Sequence, residues 1–367
     1  MIDIQNQNLT RVEEIFLDIV QIDSPTGNEQ KMSEYCVQFL QKVGCKAEID
    51  EFGNVFCQVE GKMNLEPYLL TAHLDTVEPG RGVVPIVTEE SISSDGNTIL
   101  GADNKTAVAS ILALTERIQG KKKHHNHPLE IVFTVSEEVG NMGARSFDCS
   151  KLRAKRGFAS DATNREFGDL IIASPFYNRI EIELFGKGAH ASMPTLGVNP
   201  LPLLGKILDQ VQFGEMKDGS LVNFGLITAG SATNSVPENV KILGEIRSHT
   251  ENSLEVQTNQ IVDKVKNITK NTSVTQIIKI IRENAGFLFL EDEEFIKNTR
   301  KIIENVKGDR INLIKSWGCY DANIFAERGI QILNFADGSF GAHTTHEGVG
   351  RKNLNNLGQL LFELVSS

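Results

Sequence analysis

Two short apolar runs, Pro67-Tyr-Leu-Leu-Thr-Ala72 and Leu129-Glu-Ile-Val-Phe-Thr-Val135, limit the folds open to this chain more than any other feature. Both are turn-bounded and too short to be helices of ordinary length, so they read as strands buried on both faces, the condition of a parallel sheet. Between them Thr106 to Ile118 (TAVASILALTERI) reads as a helix. Strand, helix, strand with both faces covered is the pattern of a doubly wound α/β sheet. Upstream, Val12, Ile15, Phe16, Ile19 and Val20 recur at helical spacing, and Met32, Cys36, Phe39, Leu40 and Val43 predict a second helix after Asn28.

The rhythm changes between 179 and 285. Arg179 to Phe185 alternates with period two, which turns Ile180, Ile182 and Leu184 to a core and Glu181 and Glu183 to water. A helix from Val198 to Val211, strands at Leu221 to Thr228 and Val240 to Arg247, a helix from Glu251 to about Ile268 and a strand at Val274 to Ile281 follow. That order, β-α-β-β-α-β, is the ferredoxin-like pattern and predicts an inserted domain at 179–285. The α/β pattern resumes with a helix from Glu293 to about Val306, a strand at Ile330 to Phe335 and a closing helix at Asn353 to Val365. The first domain is then discontinuous, 1–178 and 286–367, with a mixed sheet. A chain of 367 residues exceeds the size at which one core keeps growing, which agrees with two domains.

A formal net charge of -11 opposes binding to phosphate backbones or anionic membranes, so neither nucleic acid nor a membrane is expected as a partner. The start, MIDIQNQNLTRVEEI, has no basic segment followed by an apolar one, and no apolar stretch approaches the roughly 18 residues of a bilayer span. Cys36, Cys45, Cys57, Cys149 and Cys319 are scattered and form no CxxC pair, which suits thiols in a reducing compartment, the cytoplasm by default. Lys121-Lys-Lys-His-His-Asn-His127 reads as a solvated basic loop.

Five potential ligands stand where strands end: His73 in TAHLDTV, Asp103 in LGADNKTAV, Glu138 in TVSEEVG, Asp161 in GFASDAT and His343 in GAHTTHEG. Singly each has an ordinary reading; Asp103 could cap the Thr106 helix, and Glu137 with Glu138 could be the acidic first turn of another. Together they fall where open α/β sheets collect ligands, outside the carboxyl ends of strands. Two divalent ions with an open position each need about six protein contacts. Five residues suffice if a carboxylate bridges, as in hydrolases whose two metals lie roughly 3.5–4 Å apart. His73 and Asp75 are two apart at a strand end, so Asp75 is placed to take the second N–H of the imidazole. Glu137 and Glu138 suit a division of labour between general base and metal ligand.

Along nearly its whole length the chain resembles the metal-dependent exopeptidases and deacylases that include peptidase T, glutamate carboxypeptidase and acetylornithine deacetylase. The segments that carry the resemblance are HLDT (73–76), GADNK (101–105), SEE (136–138), SDAT (160–163), GKGAHAS (186–192), TNSVPE (233–238), GEIRS (244–248), YDAN (320–323) and HTTHE (343–347). The resemblance implies that His73, Asp103 and Asp161 hold one ion and Asp103, Glu138 and His343 the other, most simply zinc, with cobalt or manganese as substitutes. It implies Glu137 as general base, Asp75 as partner of His73, and His190, Asn234 and Arg247 as substrate contacts. His190 would steady an oxyanion when the inserted domain closes as a lid, and that domain would also serve a homodimer. His346 reads as lying outside the ligand set.

Asp161, where family carboxypeptidases commonly carry glutamate, together with GADNK and HTTHE, looks most like the peptidase T branch. The expected activity is release of N-terminal residues from short peptides, tripeptides first. An amidohydrolase or carboxypeptidase of the same mechanism, acting on an N-acyl amino acid or dipeptide, is the alternative, and a catalytically silent binding protein a further one. Asn104, where peptidase T has a second aspartate, and Trp317-Gly-Cys-Tyr-Asp321, where it has a more glycine-rich turn, depart from the pattern and bear on substrate rather than reaction.

Overall fold

A computed structural model of the chain describes residues 9–62, 64–120 and 127–366. The basic run at 121–127 lies outside the described residues except for His127, whose ring sits 4.3 Å from that of Tyr68. The chain divides into two compact units, one of Met1–Ile172, Phe289–Ser316 and Tyr320–Ser367, the other of Ala173–Leu288 and Trp317–Cys319.

The first unit opens with α1 (Arg11–Val20), whose start is a capping box in which Thr10 and Glu13 exchange side-chain and backbone bonds. There follow α2 (Gln30–Lys42), β1 (Lys46–Ile49), β2 (Val55–Val59), β3 (Tyr68–His73), α3 (Ala102–Gln119), β4 (Leu129–Thr134), α4 (Met142–Ser146), β5 (Arg156–Ala159) and β6 (Leu170–Ser174). In the second unit come β7 (Phe176–Phe185), α5 (Leu201–Gln210), β8 (Leu221–Ala229), β9 (Asn239–Ser248), α6 (Glu251–Thr269) and β10 (Thr275–Asn284). The first unit then resumes with α7 (Glu294–Lys307), α8 (Asp321–Glu327), β11 (Gln331–Phe335) and α9 (Arg351–Ser366).

The sheet of the first unit runs β1-β2-β4-β3-β5-β11-β6. Its centre is parallel: β3 pairs with β4 and β5, and β5 with β11. The β1–β2, β2–β4 and β11–β6 pairs are antiparallel, so the sheet is mixed. Every residue of β4 is buried, as its unbroken apolar run requires. Glu130 is tolerated within that strand because its carboxylate accepts the backbone N–H groups of Arg153 at 2.9 Å and Ala154 at 3.0 Å. Helix α3 packs on β3 and touches α1 and α9, whose Leu354, Leu357, Leu361 and Leu364 form one buried stripe.

In the second unit the sheet runs β8-β9-β7-β10, antiparallel throughout. Ile180, Ile182 and Leu184 are fully buried against Ile207 of α5 and Leu254, Ile261 and Val265 of α6. On β7's other face Arg179 reaches Glu181 at 2.5 Å and Glu283 at 2.6 Å.

Several boundaries differ from the periodicity, two of them in the second unit's first strand and helix. The strand predicted from Arg179 starts at Phe176, so the second unit begins earlier than 179. The helix predicted from Val198 starts at Leu201, because the Asn199 side chain accepts the Leu201 N–H at 3.0 Å and diverts the chain before the turn forms. No helix among the described residues is long and apolar enough to cross a membrane, and among them no disulfide joins the cysteines. Ile182→Ala is expected to cost about 2–5 kcal/mol through the cavity it leaves, measured as a lowered urea midpoint; an unchanged midpoint would contradict its central place in this core.

Candidate metal centre and active site

His73 is the last residue of β3, Glu137 and Glu138 follow β4, and Asp161 follows β5. Because β4, β3 and β5 are adjacent and parallel, these side chains leave the sheet at one edge. Asp103 reaches the same place from the start of α3, where Gly101 holds φ 77° and Asp103 and Asn104 keep non-helical angles. His343 comes from the loop between the short strands Ser339–Phe340 and Gly348–Gly350 and itself holds a positive φ of 65°.

The donor atoms converge. His73 Nε2 lies 3.1 Å from Asp103 Oδ1 and 3.5 Å from Asp161 Oδ1, and His343 Nε2 lies 3.0 Å from Glu138 Oε1 and 3.4 Å from Asp103 Oδ2. Within the sets His73–Asp103–Asp161, Asp103–Glu138–His343 and His73–Glu137–Glu138, the atoms offered lie within 4.8 Å of one another. Asp103 turns one oxygen to each histidine. His73 Nδ1 faces the carbonyl oxygen of Asp75 at 3.0 Å, nearer than the Asp75 carboxylate at 3.4 Å. Donation to that carbonyl puts the proton on Nδ1 of the neutral ring and leaves the Nε2 lone pair toward Asp103 and Asp161. A nitrogen lone pair converging with carboxylate oxygens is a donor set for a hard or borderline divalent cation.

The Asp75 carboxylate is itself tied down, accepting the backbone N–H of Glu137 at 2.9 Å and of Glu138 at 3.2 Å and the Thr26 hydroxyl at 2.9 Å. These bonds and His73 hold it below the usual carboxylate range against the opposing effect of burial. Asp103 is likewise held low, its burial outweighed by hydrogen bonds from His343 and His73. Burial drives Asp161 and Glu137 up. Asp161 rises to about 7, helped by Asp103 and Asp321 and opposed by His73, and Glu137 rises well above its ordinary value, with Asp161, Asp321 and Glu138 adding to burial and His73 opposing it. His343 is raised to about 10 by Asp103 and Glu138.

His190, Asn234 and Arg247 belong to the second unit. Ala189–His190 pairs with Ser235–Val236, which sets His190 beside Asn234, whose carbonyl accepts the Ala191 N–H at 2.9 Å. His190 is exposed, and its Nδ1 accepts the Ser192 N–H at 3.2 Å, so the neutral ring presents Nε2–H as a donor. Arg247 Nη1 donates to the Trp317 carbonyl at 2.7 Å and Nη2 to Glu245 at 3.0 Å, and its guanidinium stands 4.5 Å over the Tyr177 ring.

Several residues around the ligands had no task assigned to them from the sequence. Glu347 is buried, and its carboxylate accepts the N–H of Gly101 at 2.6 Å and of Asp103 at 3.0 Å, fixing the backbone that carries Asp103. Burial raises Glu347 to about 7. Asn334 at the end of β11 accepts the Asp161 N–H at 2.9 Å. Asn104 is buried, and its amide has no hydrogen-bond partner among the described residues. His346 is exposed.

Comparison with known proteins identifies the family of the chain. Residues 69–367 match the family model of Peptidase family M20/M25/M40. The crystal structure of aminopeptidase PepT from Bacillus cereus aligns with TM-score 0.91 at 28% identity, covering 97% of each chain. A tripeptidase from Staphylococcus aureus aligns with TM-score 0.90 at 30% identity over 97% of each chain. The uncharacterized protein YqjE of Bacillus subtilis is 29% identical over 93% of each sequence. The chain belongs to peptidase family M20/M25/M40, as a peptidase T-like member, and is a metallo-exopeptidase. Since Asp103 is common to two of the donor sets, Asp103→Ala is expected to remove more bound divalent metal per chain than His343→Ala, measured by metal analysis after equilibrium dialysis. Equal losses would deny it a shared role.

Proposed function

We propose that this M20 peptidase releases N-terminal residues from short peptides, tripeptides first, with zinc as its metal. The observation that carries the reading is the pair of donor sets sharing Asp103, with the Glu137 carboxyl beside them. The likeness over nearly the whole chain to an aminopeptidase and a tripeptidase supports action from the amino end of a short substrate.

In this reading His73, Asp103 and Asp161 hold one ion and Asp103, Glu138 and His343 the other. Such ions supply Lewis acidity for a scissile carbonyl and make a water acidic enough to lose its proton near neutral pH. Glu137 receives that proton on a carboxylate oxygen and returns it to the leaving amine nitrogen. Asp75 keeps the His73 ring in its tautomer and, through the Glu137 and Glu138 N–H groups, holds both glutamates at the strand end. His190 offers Nε2–H to the oxygen that gains charge in the transition state, and Asn234 and Arg247 contact the substrate backbone. The free cysteines support a reducing compartment, which we take to be the cytoplasm.

Glu137→Gln keeps shape and loses the proton acceptor, so turnover is expected to fall by at least about 100-fold while bound metal is retained. Near-normal turnover with metal bound would remove Glu137 from its role. In a panel of tri-alanine, di-alanine and N-acetyl-alanine, chelator-sensitive hydrolysis is expected to be fastest on tri-alanine. Preference for the acylated compound would replace the aminopeptidase reading with a deacylase.

A further inference from the structure

Glu137 is held by more than its own strand. The Asn141 Nδ2 donates to Glu137 Oε1 at 2.7 Å and to Asp321 Oδ1 at 3.1 Å, and Asp321 Oδ2 accepts the hydroxyl of Thr134, the last residue of β4. Asn141 is 3% and Asp321 4% exposed, so water does not substitute for these bonds. Both hydrogens of the Asn141 amide point at carboxylates. With those carboxyl groups ionised a flipped amide would set its carbonyl oxygen against two acceptors, which fixes its orientation.

The backbone around Asn141 is fixed as tightly. Its own N–H donates to the Glu137 carbonyl at 2.8 Å, closing a tight loop, and it holds a left-handed φ of 58° that asparagine tolerates better than most residues. Next in line, the Gly143 N–H donates to the Val135 carbonyl at 2.9 Å, and a Cβ at Gly143 would meet that oxygen at 2.2 Å. Only glycine allows the loop to lie this close to the strand. Asp321 begins α8 in the YDAN segment, which no proposed ligand or substrate contact uses.

We infer that Asn141, held in turn by Asp321, is the positioning residue that aims the Glu137 carboxylate for proton transfer. One oxygen of Glu137 is pinned by the amide, and the carboxyl plane is thereby set, which leaves the other oxygen to exchange the proton. Asn141 touches neither substrate nor metal in this account, and the inference rests on the reading of Glu137 as general base.

The test is a cycle of variants in the metal-loaded enzyme on tri-alanine. Asn141→Gly removes the amide and keeps the left-handed backbone without strain. It is expected to lower kcat roughly 30-fold, equivalent to about 2 kcal/mol, with KM and bound metal unchanged. Asn141→Asp, nearly the same shape but without donors, is expected to lose at least as much. In a Glu137→Asp background, where the shortened carboxylate has already withdrawn from the amide, Asn141→Gly is expected to cost less than about twofold more, because the two groups act as one unit. Asp321→Asn is expected to lower kcat in the wild-type background and to add nothing after Asn141→Gly. An equal cost of Asn141→Gly in both backgrounds, or a loss expressed in KM or in metal content, would overturn the inference while leaving the base in place. Near-normal turnover of Glu137→Gln would instead remove the reading beneath it, so the two failures are told apart.

Discussion

Parallel pairing of Tyr68–His73 with Leu129–Thr134 on one side and Arg156–Ala159 on the other is the constraint from which the site follows. In a strand successive side chains alternate between faces, so one residue of slippage in either pairing would carry His73, the two glutamates or Asp161 to a different position relative to its neighbours. Leu69, Leu70, Ile131 and Phe133 are fully buried, so slippage would exchange side chains between two closely packed layers and force both to repack. Apolar packing thus sets the geometry of a polar cluster it does not touch.

Carboxylates crowd the strand ends. Burial penalises their charge, and the neighbours decide the outcome: two imidazoles hold Asp103 low, His73 with backbone N–H groups and Thr26 holds Asp75 low, whereas burial keeps Asp321 raised despite its bonds from Thr134 and Asn141. Asp103 alone among them has a histidine at each oxygen, which favours its ionised form. Glu137 differs in having few donors and several like-charged neighbours, so its proton affinity rises, and that is the property a base needs.

Much of this was legible in the residue order. The Arg179–Phe185 alternation identified which face of β7 is buried, and the runs at 67–72 and 129–135 identified two central strands, because burial on one face or on both writes a period into the chain. Strands such as Ser91-Ile-Ser-Ser94, paired in a small sheet with Pro85–Val87 and Gly348–Gly350, were not legible; they are too short and too polar to show a period. Ligand candidates could be found because a histidine or acid just after an apolar strand is conspicuous. Asp321, Asn334 and Glu347 could not be assigned tasks, since each acts on a partner remote in sequence, Glu347 on Asp103 across 244 positions, and Asn141, four residues from Glu137, reads as an ordinary turn residue until Asp321 is brought beside it. Nothing local distinguishes such residues from ordinary turn and cap positions.

The clasp of Glu347 on Gly101 and Asp103 ties the first third of the chain to its end. His343, on the same closing loop, faces Asp103 and Glu138. Synthesis proceeds from the amino terminus, and domains fold as they emerge. A ribosome-bound chain can therefore bury much of its sheet yet lack both the histidine and the carboxylate that complete the centre. The cluster of side chains at the strand ends is therefore complete only once residues 343–347 have joined it.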